Sequence, residues 1–156
     1  THLYDWKVSD VDDSFLIIFL YTYSEAHATE IQYRKLLGLN TRQLIGKEMR
    51  TLKDDSNRTY RAICNLYLSN VKNAFDKLQL NKTDYNLTNF IRILSYYPGC
   101  CMIYNAIYRE AFINSCKVIS EKYENYIKNY INAICNKDIE LIKSTRYELS
   151  TQLMFY

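Results

Sequence analysis

The sequence predicts an all-α protein of seven or eight helices, built as two tandem, duplicated repeats that share one core. Three observations predict it. The 156 residues include only 3 Gly and 1 Pro, too little material for the tight turns of a hairpin-rich chain. Helix-favouring Leu, Ile, Lys and Glu are frequent, with apolar residues at helical spacing. The tetrapeptide Ala62-Ile63-Cys64-Asn65 returns as Ala133-Ile134-Cys135-Asn136. Two upstream landmarks recur in the same order. Phe15 to Tyr21 aligns with Phe90 to Tyr96, and Tyr33-Arg34 with Tyr108-Arg109. One gap of roughly four residues joins them to the tetrapeptide, a spacing that reads as internal duplication. The repeats cover about 9–80 and 84–153 of a single domain, 1–156, a length suited to one buried core.

Each element has a local signal. Ser9 with Asp12 and Asp13 marks a helix start, and the nearly continuous apolar run behind it gives a first helix from about Asp10 to Tyr23. Ser24 caps a second helix, which ends near Leu37 with Gly38 as its stop. Asn40 or Thr41 opens a third, carrying Leu44, Ile45, Met49 and Leu52. After a break at Lys53-Asp54-Asp55-Ser56, a fourth runs from about Asn57 to Leu78, with Ile63, Tyr67, Val71, Phe75 and Leu78 on one stripe. Leu80 to Asp84 joins the halves. A fifth helix, about Tyr85 to Tyr97, stops at Pro98-Gly99. A sixth spans about Cys101 to Asn114. The second half has no equivalent of the break, so Ser115 caps one long helix, about Cys116 to Asn136. A last helix from about Asp138 to Leu153 carries Ile139, Leu141, Ile142, Leu149 and Leu153.

Charge and chemistry exclude several classes. A net charge of +3 is too small and too dispersed for a nucleic-acid binder. The basic residues from Arg42 to Arg61 are interrupted by Glu48, Asp54 and Asp55 and read as a solvated surface. No apolar run approaches the ~20 residues of a membrane span. A chain that opens at Thr1 fits a mature secreted protein whose leader has been removed. His2 and His27 are the only histidines, and no Cys-x-x-Cys is present, so no metal or other cofactor is expected. The adjacent acids Asp12-Asp13 and Asp54-Asp55 point in different directions and do not converge as a catalytic pair. No catalytic residue is assigned.

Five cysteines in a secreted chain suggest disulfides. Cys101 and Cys116 fall at opposite ends of the sixth helix, roughly 20 Å apart at ~1.5 Å per residue, as do Cys116 and Cys135 on the next. Antiparallel packing of those two helices brings the Cys100-Cys101 doublet towards Cys135. The positions equivalent to the doublet in the first half are Glu25 and Ala26, so Cys64 lacks a local mate. Cys64 and Cys135 are therefore expected to pair with Cys100 and Cys101, one each, leaving Cys116 free. Reduced core thiols are the other reading.

Tyr is unusually abundant, with 16 residues. The duplicated Tyr21, Tyr96, Tyr33 and Tyr108 are expected to fill helix interfaces, each hydroxyl reaching a partner. The unduplicated Tyr104, Tyr123, Tyr126, Tyr130 and Tyr147 are expected on the surface as partner-binding residues. Sequons at Asn57, Asn81 and Asn86 lie in breaks or near helix starts, where glycans are tolerated.

A small, divergent, Tyr-rich, two-repeat chain with Cys100, Cys101, Cys116 and Cys135 around Tyr104 and Tyr108, and Cys64 in its first half, resembles the bicycle family of aphid secreted salivary effectors. The chain has no literal Cys-Tyr-Cys. The resemblance covers about Ser9 to Leu149. It implies a secreted protein delivered into a plant host, including by gall-forming species, and acting there without catalysis by binding a host protein. An alternative is an intracellular viral-type Bcl-2-like adaptor that binds a partner helix in a groove. It shares the size and the all-α expectation, but no Asn-Trp-Gly-Arg-like motif is present and Trp6 is N-terminal. A polar pocket around His27 would instead mark a small enzyme or ligand carrier.

Overall fold

The computed structural model describes residues 14–40, 44 and 57–156. Among them the chain is all-α, with six α-helices: α1 (Ser14–Leu36), α2 (Tyr60–Leu80), α3 (Asp84–Cys101), α4 (Ala106–Asn114), α5 (Glu124–Cys135) and α6 (Ile139–Phe155). A single 3-10 turn, Ser115–Val118, follows α4. The expected helix start at Ser9, the Asp12-Asp13 and Asp54-Asp55 pairs, His2, Trp6 and the third helix apart from Leu44 lie outside the described residues.

Capping sets most of the helix starts. Thr59 Oγ1 accepts from Ala62 N at 3.3 Å ahead of α2, and Thr83 Oγ1 accepts from Asn86 N at 3.2 Å ahead of α3. Asn105 and Asp138 do the same for α4 and α6. Each satisfies an N–H that the helix itself cannot pair. α1 closes as expected at Gly38, whose φ of +67° is the left-handed stop that lets Leu39 N reach Arg34 O at 2.8 Å. The stripe Ile63, Val71, Phe75 and Leu78 is buried on α2, with Tyr67 half-buried beside it.

α3 is the centre of the fold. It packs against all five other helices, most extensively α1 and α2. From Phe90 onward it buries Ile91, Leu94, Ser95 and every residue from Tyr97 to Cys101. The helix is enclosed on all sides only from Tyr97 on; before that Thr88 and Arg92 face solvent, the polar side of an amphipathic stripe. The main core joins α2, α3, α5 and α6 through Val71, Leu94, Ile127, Ile131 and Leu149, each contributing about 1.5–3 kcal/mol by leaving water. A smaller cluster joins the end of α1, the start of α2 and the end of α3 through Tyr33, Tyr60, Ile63, Cys64, Cys100 and Tyr104.

Four expected boundaries are corrected. The helix expected to begin at Cys101 begins at Ala106, after a turn at 102–105. Ser24 caps nothing: it is buried in the middle of α1, which runs unbroken through the site. Tertiary contact with α3 outweighs the local preference of Ser for a cap. Pro98-Gly99 does not stop α3, which continues to Cys101, with Met102 N bonding Pro98 O at 2.9 Å. Gly99 is instead a point of contact. A Cβ there would lie 2.3 Å from Ala26 O and 2.7 Å from Thr29 Cβ, so the missing side chain is what lets α1 lie against α3. The long helix expected over 116–136 is broken, because Ser120 Oγ accepts from Tyr123 N at 3.4 Å and turns the chain before α5.

The repeated landmarks fall on different structures. Ala62-Ile63-Cys64-Asn65 lies in the first turns of α2, whereas Ala133-Ile134-Cys135 ends α5. Tyr33-Arg34 sits near the end of the unbroken α1. Tyr108-Arg109 sits on α4, beyond a turn at Met102 to Asn105 that the first half lacks.

Gly99→Ala is expected to lower stability by about 1–3 kcal/mol, the usual cost of overpacking, read as a lower urea midpoint with an unchanged slope. Gly38→Ala tests a different cause, because its Cβ would meet nothing within 4 Å; its smaller loss would come from the positive φ alone.

Candidate partner-binding site

The last turn of α3 ends inside the protein, so its carbonyls need donors other than water. Neighbouring elements supply them, and add a second donor to Pro98 O, which Met102 N already reaches. Tyr60 Oη, from α2, donates to Cys100 O at 3.0 Å. Cys135 Sγ, at the end of α5, donates to Pro98 O at 3.9 Å. Arg109 Nη2, from α4, donates to Met102 O at 3.2 Å and Tyr104 O at 3.1 Å. Tyr97 Oη reaches from α3 to Phe112 O of α4 at 2.7 Å, and Tyr130 Oη from α5 to Thr22 Oγ1 of α1 at 3.3 Å. Buried tyrosines therefore act as cross-helix fasteners, each ring filling an interface and each hydroxyl satisfied.

Around this terminus the rings form a connected series. Tyr96 lies 6.3 Å from Tyr67, and Tyr67 lies 6.1 Å from Tyr33. Tyr33 is 5.4 Å from Tyr60, which is 5.3 Å from Tyr104. Tyr104 stacks on Phe112 at 4.5 Å and lies 6.5 Å from Tyr108. The hydroxyls of Tyr33 and Tyr67 share a 3.2 Å hydrogen bond. Each end of the series opens on a cleft. One, of about 450 Å³, lies between α2 and α3 and is lined by Tyr67, Tyr96, Ile93, Lys77, Asn70, Asn73 and Asn89. The other, of about 410 Å³, lies between the start of α2 and α4 and is lined by Tyr60, Arg61, Asn65, Tyr104, Tyr108 and Phe112. Aromatic faces with amide, hydroxyl and guanidinium groups at their edges suit recognition of another protein chain.

The surface role expected for three tyrosines is corrected. Tyr104 (5 % exposed), Tyr123 and Tyr130 are core residues. Tyr104 closes the smaller cluster, Tyr123 packs on Phe75 at 6.0 Å, and Tyr130 is the α5 fastener. Their apolar area makes burial the favourable state once the hydroxyl has a partner or an exit. Tyr147 is 66 % exposed and Tyr126 half-buried, and neither lines a cleft. Of the duplicated set, Tyr33 fills an interface as expected, while Tyr96 and Tyr108 are half-buried at the clefts. The side chain of Tyr21 lies outside the described residues. Tyr67 lies on the stripe expected for α2, whereas the roles of Tyr60 and Tyr97 follow only from the packing of α2 and α4 on α3.

His27 sits mid-helix with its ring 6.0 Å from Tyr23 and lines neither cleft. Asn57 and Asn81 are exposed, Asn57 at a φ of +62° and Asn81 at the end of α2. Asn86 is half-buried in the first turn of α3, and its Nδ2 donates to Asn81 O at 2.8 Å. Behind the smaller cluster, Arg34 pairs with Glu30 at 2.9 Å and Lys137 approaches the same carboxylate at 3.7 Å, tying α1 to the turn after α5.

All five cysteines are buried free thiols. The separation expected of Cys116 from Cys101 and Cys135 is corrected. The turn at 102–105 shortens α4 and the break at 119–123 shortens α5, so Cys101, Cys116 and Cys135 share the main core. Desolvation pushes the Cys116 and Cys135 thiols up to about 12 and raises the Tyr60, Tyr67, Tyr97 and Tyr104 phenols above their usual range.

Tyr60→Phe is expected to cost about 1–3 kcal/mol, the range for leaving a buried carbonyl unpaired, read by chemical denaturation. The thiol shifts also set an alkaline limit. A group whose pKa rises on folding holds its proton longer in the folded state. Its contribution is complete below the unfolded value, near 9.0 for a thiol, and lost as pH climbs towards about 12. Melting temperature should therefore fall from pH 9 upward, and in folded protein at pH 8 the cysteines should resist alkylation until denaturant is added.

No protein-family model matches this chain, and no curated protein or solved structure is found to be similar to it.

Proposed function

We propose that the protein is a secreted, non-enzymatic effector that binds a protein of a plant host, in the manner of the aphid bicycle proteins its sequence resembles. The observation that carries this reading is the connected run of tyrosine rings that surfaces in two clefts. Half-exposed Tyr67, Tyr96 and Tyr108 present large, stiff areas with polar tips, the residue type that dominates protein-recognition hot spots. Asn65, Asn70, Asn73 and Asn89 add adaptable hydrogen bonding. Among the described residues no group of three or more His, Cys, Asp or Glu could hold a metal, and no helix is long and apolar enough to cross a membrane.

The two halves are read as diverged copies of one unit. The recurrence of Tyr-Arg supports this: Tyr33 and Tyr108 both belong to the aromatic series, each followed by an arginine that bonds a backbone carbonyl just outside its own helix. Exposed Tyr147 and half-exposed Tyr126 remain a second candidate surface.

The test is cross-linking and affinity capture from plant extract with the purified protein as bait, compared with Tyr108→Ala/Arg61→Glu and with Tyr147→Ala. A specific host protein should be captured by the unaltered chain, with at least tenfold weaker binding by the double variant, about 1.4 kcal/mol. Binding lost on Tyr147→Ala alone would move the site to α6. Capture unaffected by any of these changes would reject the cleft between α2 and α4.

A further inference from the structure

The α2–α3 hairpin brings two cysteines face to face. Its helices run antiparallel about the turn at Asn81 to Thr83, and residues nearly equidistant from Lys82 meet across it. Phe75 meets Phe90 at 5.8 Å, Tyr67 meets Tyr96 at 6.3 Å, and Tyr60 meets Tyr104 at 5.3 Å. Cys64 and Cys100 occupy the same register between the last two pairs, so their side chains project into the same buried interface. Both are fully buried in the smaller cluster, and Tyr60 Oη on Cys100 O clamps the two helices one turn away. Adjacent Cys100 and Cys101 project about 100° apart on a 3.6-residue helix, so Cys101 faces the main core with Cys116 and Cys135 instead.

We propose that Cys64 and Cys100 are a disulfide site, closed during folding when a small disulfide oxidant such as glutathione disulfide is present. One cysteine thiolate attacks the oxidant, breaking its S–S bond, forming a mixed disulfide and releasing one glutathione thiolate. The second cysteine thiolate displaces the remaining glutathione and forms the Cys64–Cys100 bond. Two thiols are oxidised, one glutathione disulfide is reduced to two glutathiones, and the two cysteine protons end on them. Burial raises the Cys100 thiol well above its usual range, so the reaction belongs to the folding chain and not to the finished fold. The bond would staple the hairpin beneath both clefts.

This inference goes beyond host binding and needs only an oxidising medium, so its failure and the failure of the binding reading are separable. The reduced, unfolded protein is refolded in a glutathione redox buffer and, in parallel, with excess reductant; free thiols are then alkylated and the peptides mapped. The expected product links Cys64 to Cys100, persists in Cys101→Ser and is absent in Cys100→Ser. The oxidised wild-type protein should melt roughly 5–15 °C above the reduced one, a comparison that does not depend on any variant folding. Cys64 alkylated in the redox buffer, or joined to Cys101, Cys116 or Cys135, would overturn the proposal. So would rapid oxidation of the already folded, reduced protein with no linkage formed during refolding.

Discussion

The structure depends on how the end of one helix is satisfied. α3 stops in the interior, where water cannot reach the carbonyls of its last turn. A buried helix terminus is tolerable only if its orphan acceptors find donors. Here Tyr60 of α2 provides one for Cys100 O and Arg109 of α4 one for Met102 O, while Cys135 of α5 adds a second donor to Pro98 O, already paired with Met102 N. Each donor fixes the position of its own helix relative to α3. The requirement that these acceptors be met therefore specifies the arrangement more tightly than apolar burial, which has no direction. On its open side the same terminus is closed by α1, and Gly99 sets how near α1 comes.

Much of this was legible in the sequence and some was not. The all-α class, the stop at Gly38 and the extents of α2 and α6 follow from local signals, because capping and helical periodicity act within a few residues. Ser24 and Pro98-Gly99 were misread for a common reason. Both carry a strong local signal for a boundary, and both lie where α1 and α3 touch. Contact energy there overrides what the isolated segment prefers. Ser120 was the opposite case, a real turn signal inside a segment that looked continuous.

The site was less legible than the fold. Abundant tyrosine pointed to recognition, but composition cannot say which rings face out. Tyr104, Tyr123 and Tyr130 lack duplicated partners, and that suggested exposure. Their burial follows from interfaces between helices distant in sequence. The clefts are formed by Tyr67, Tyr96, Tyr108 and Phe112 from three helices, a combination that no single stretch of sequence contains. The cysteines divided similarly. Helix geometry brings the doublet towards Cys135, whereas Cys64 is assigned to it only for want of a local mate, and the packing of α2 on α3 is what brings Cys64 and Cys100 into one cluster. That Cys116 shares a core with Cys101 and Cys135 depends on two turns that shorten their helices.

The run of rings from Tyr96 to Phe112 also makes the core an optical object. With centre-to-centre spacings of 4.5 to 6.3 Å along its length, neighbouring aromatic transitions couple, and the fixed tilts between rings give that coupling a handedness. The chain has 16 Tyr against 1 Trp, and that Trp6 is remote in sequence from every ring in the series. Near-ultraviolet circular dichroism therefore carries a contribution from tyrosine packing at the end of α3. A state that kept its helices but let this packing loosen would lose that signal while its far-ultraviolet spectrum stayed intact. The molecule thus carries, without any label, a spectroscopic marker placed where its helices converge.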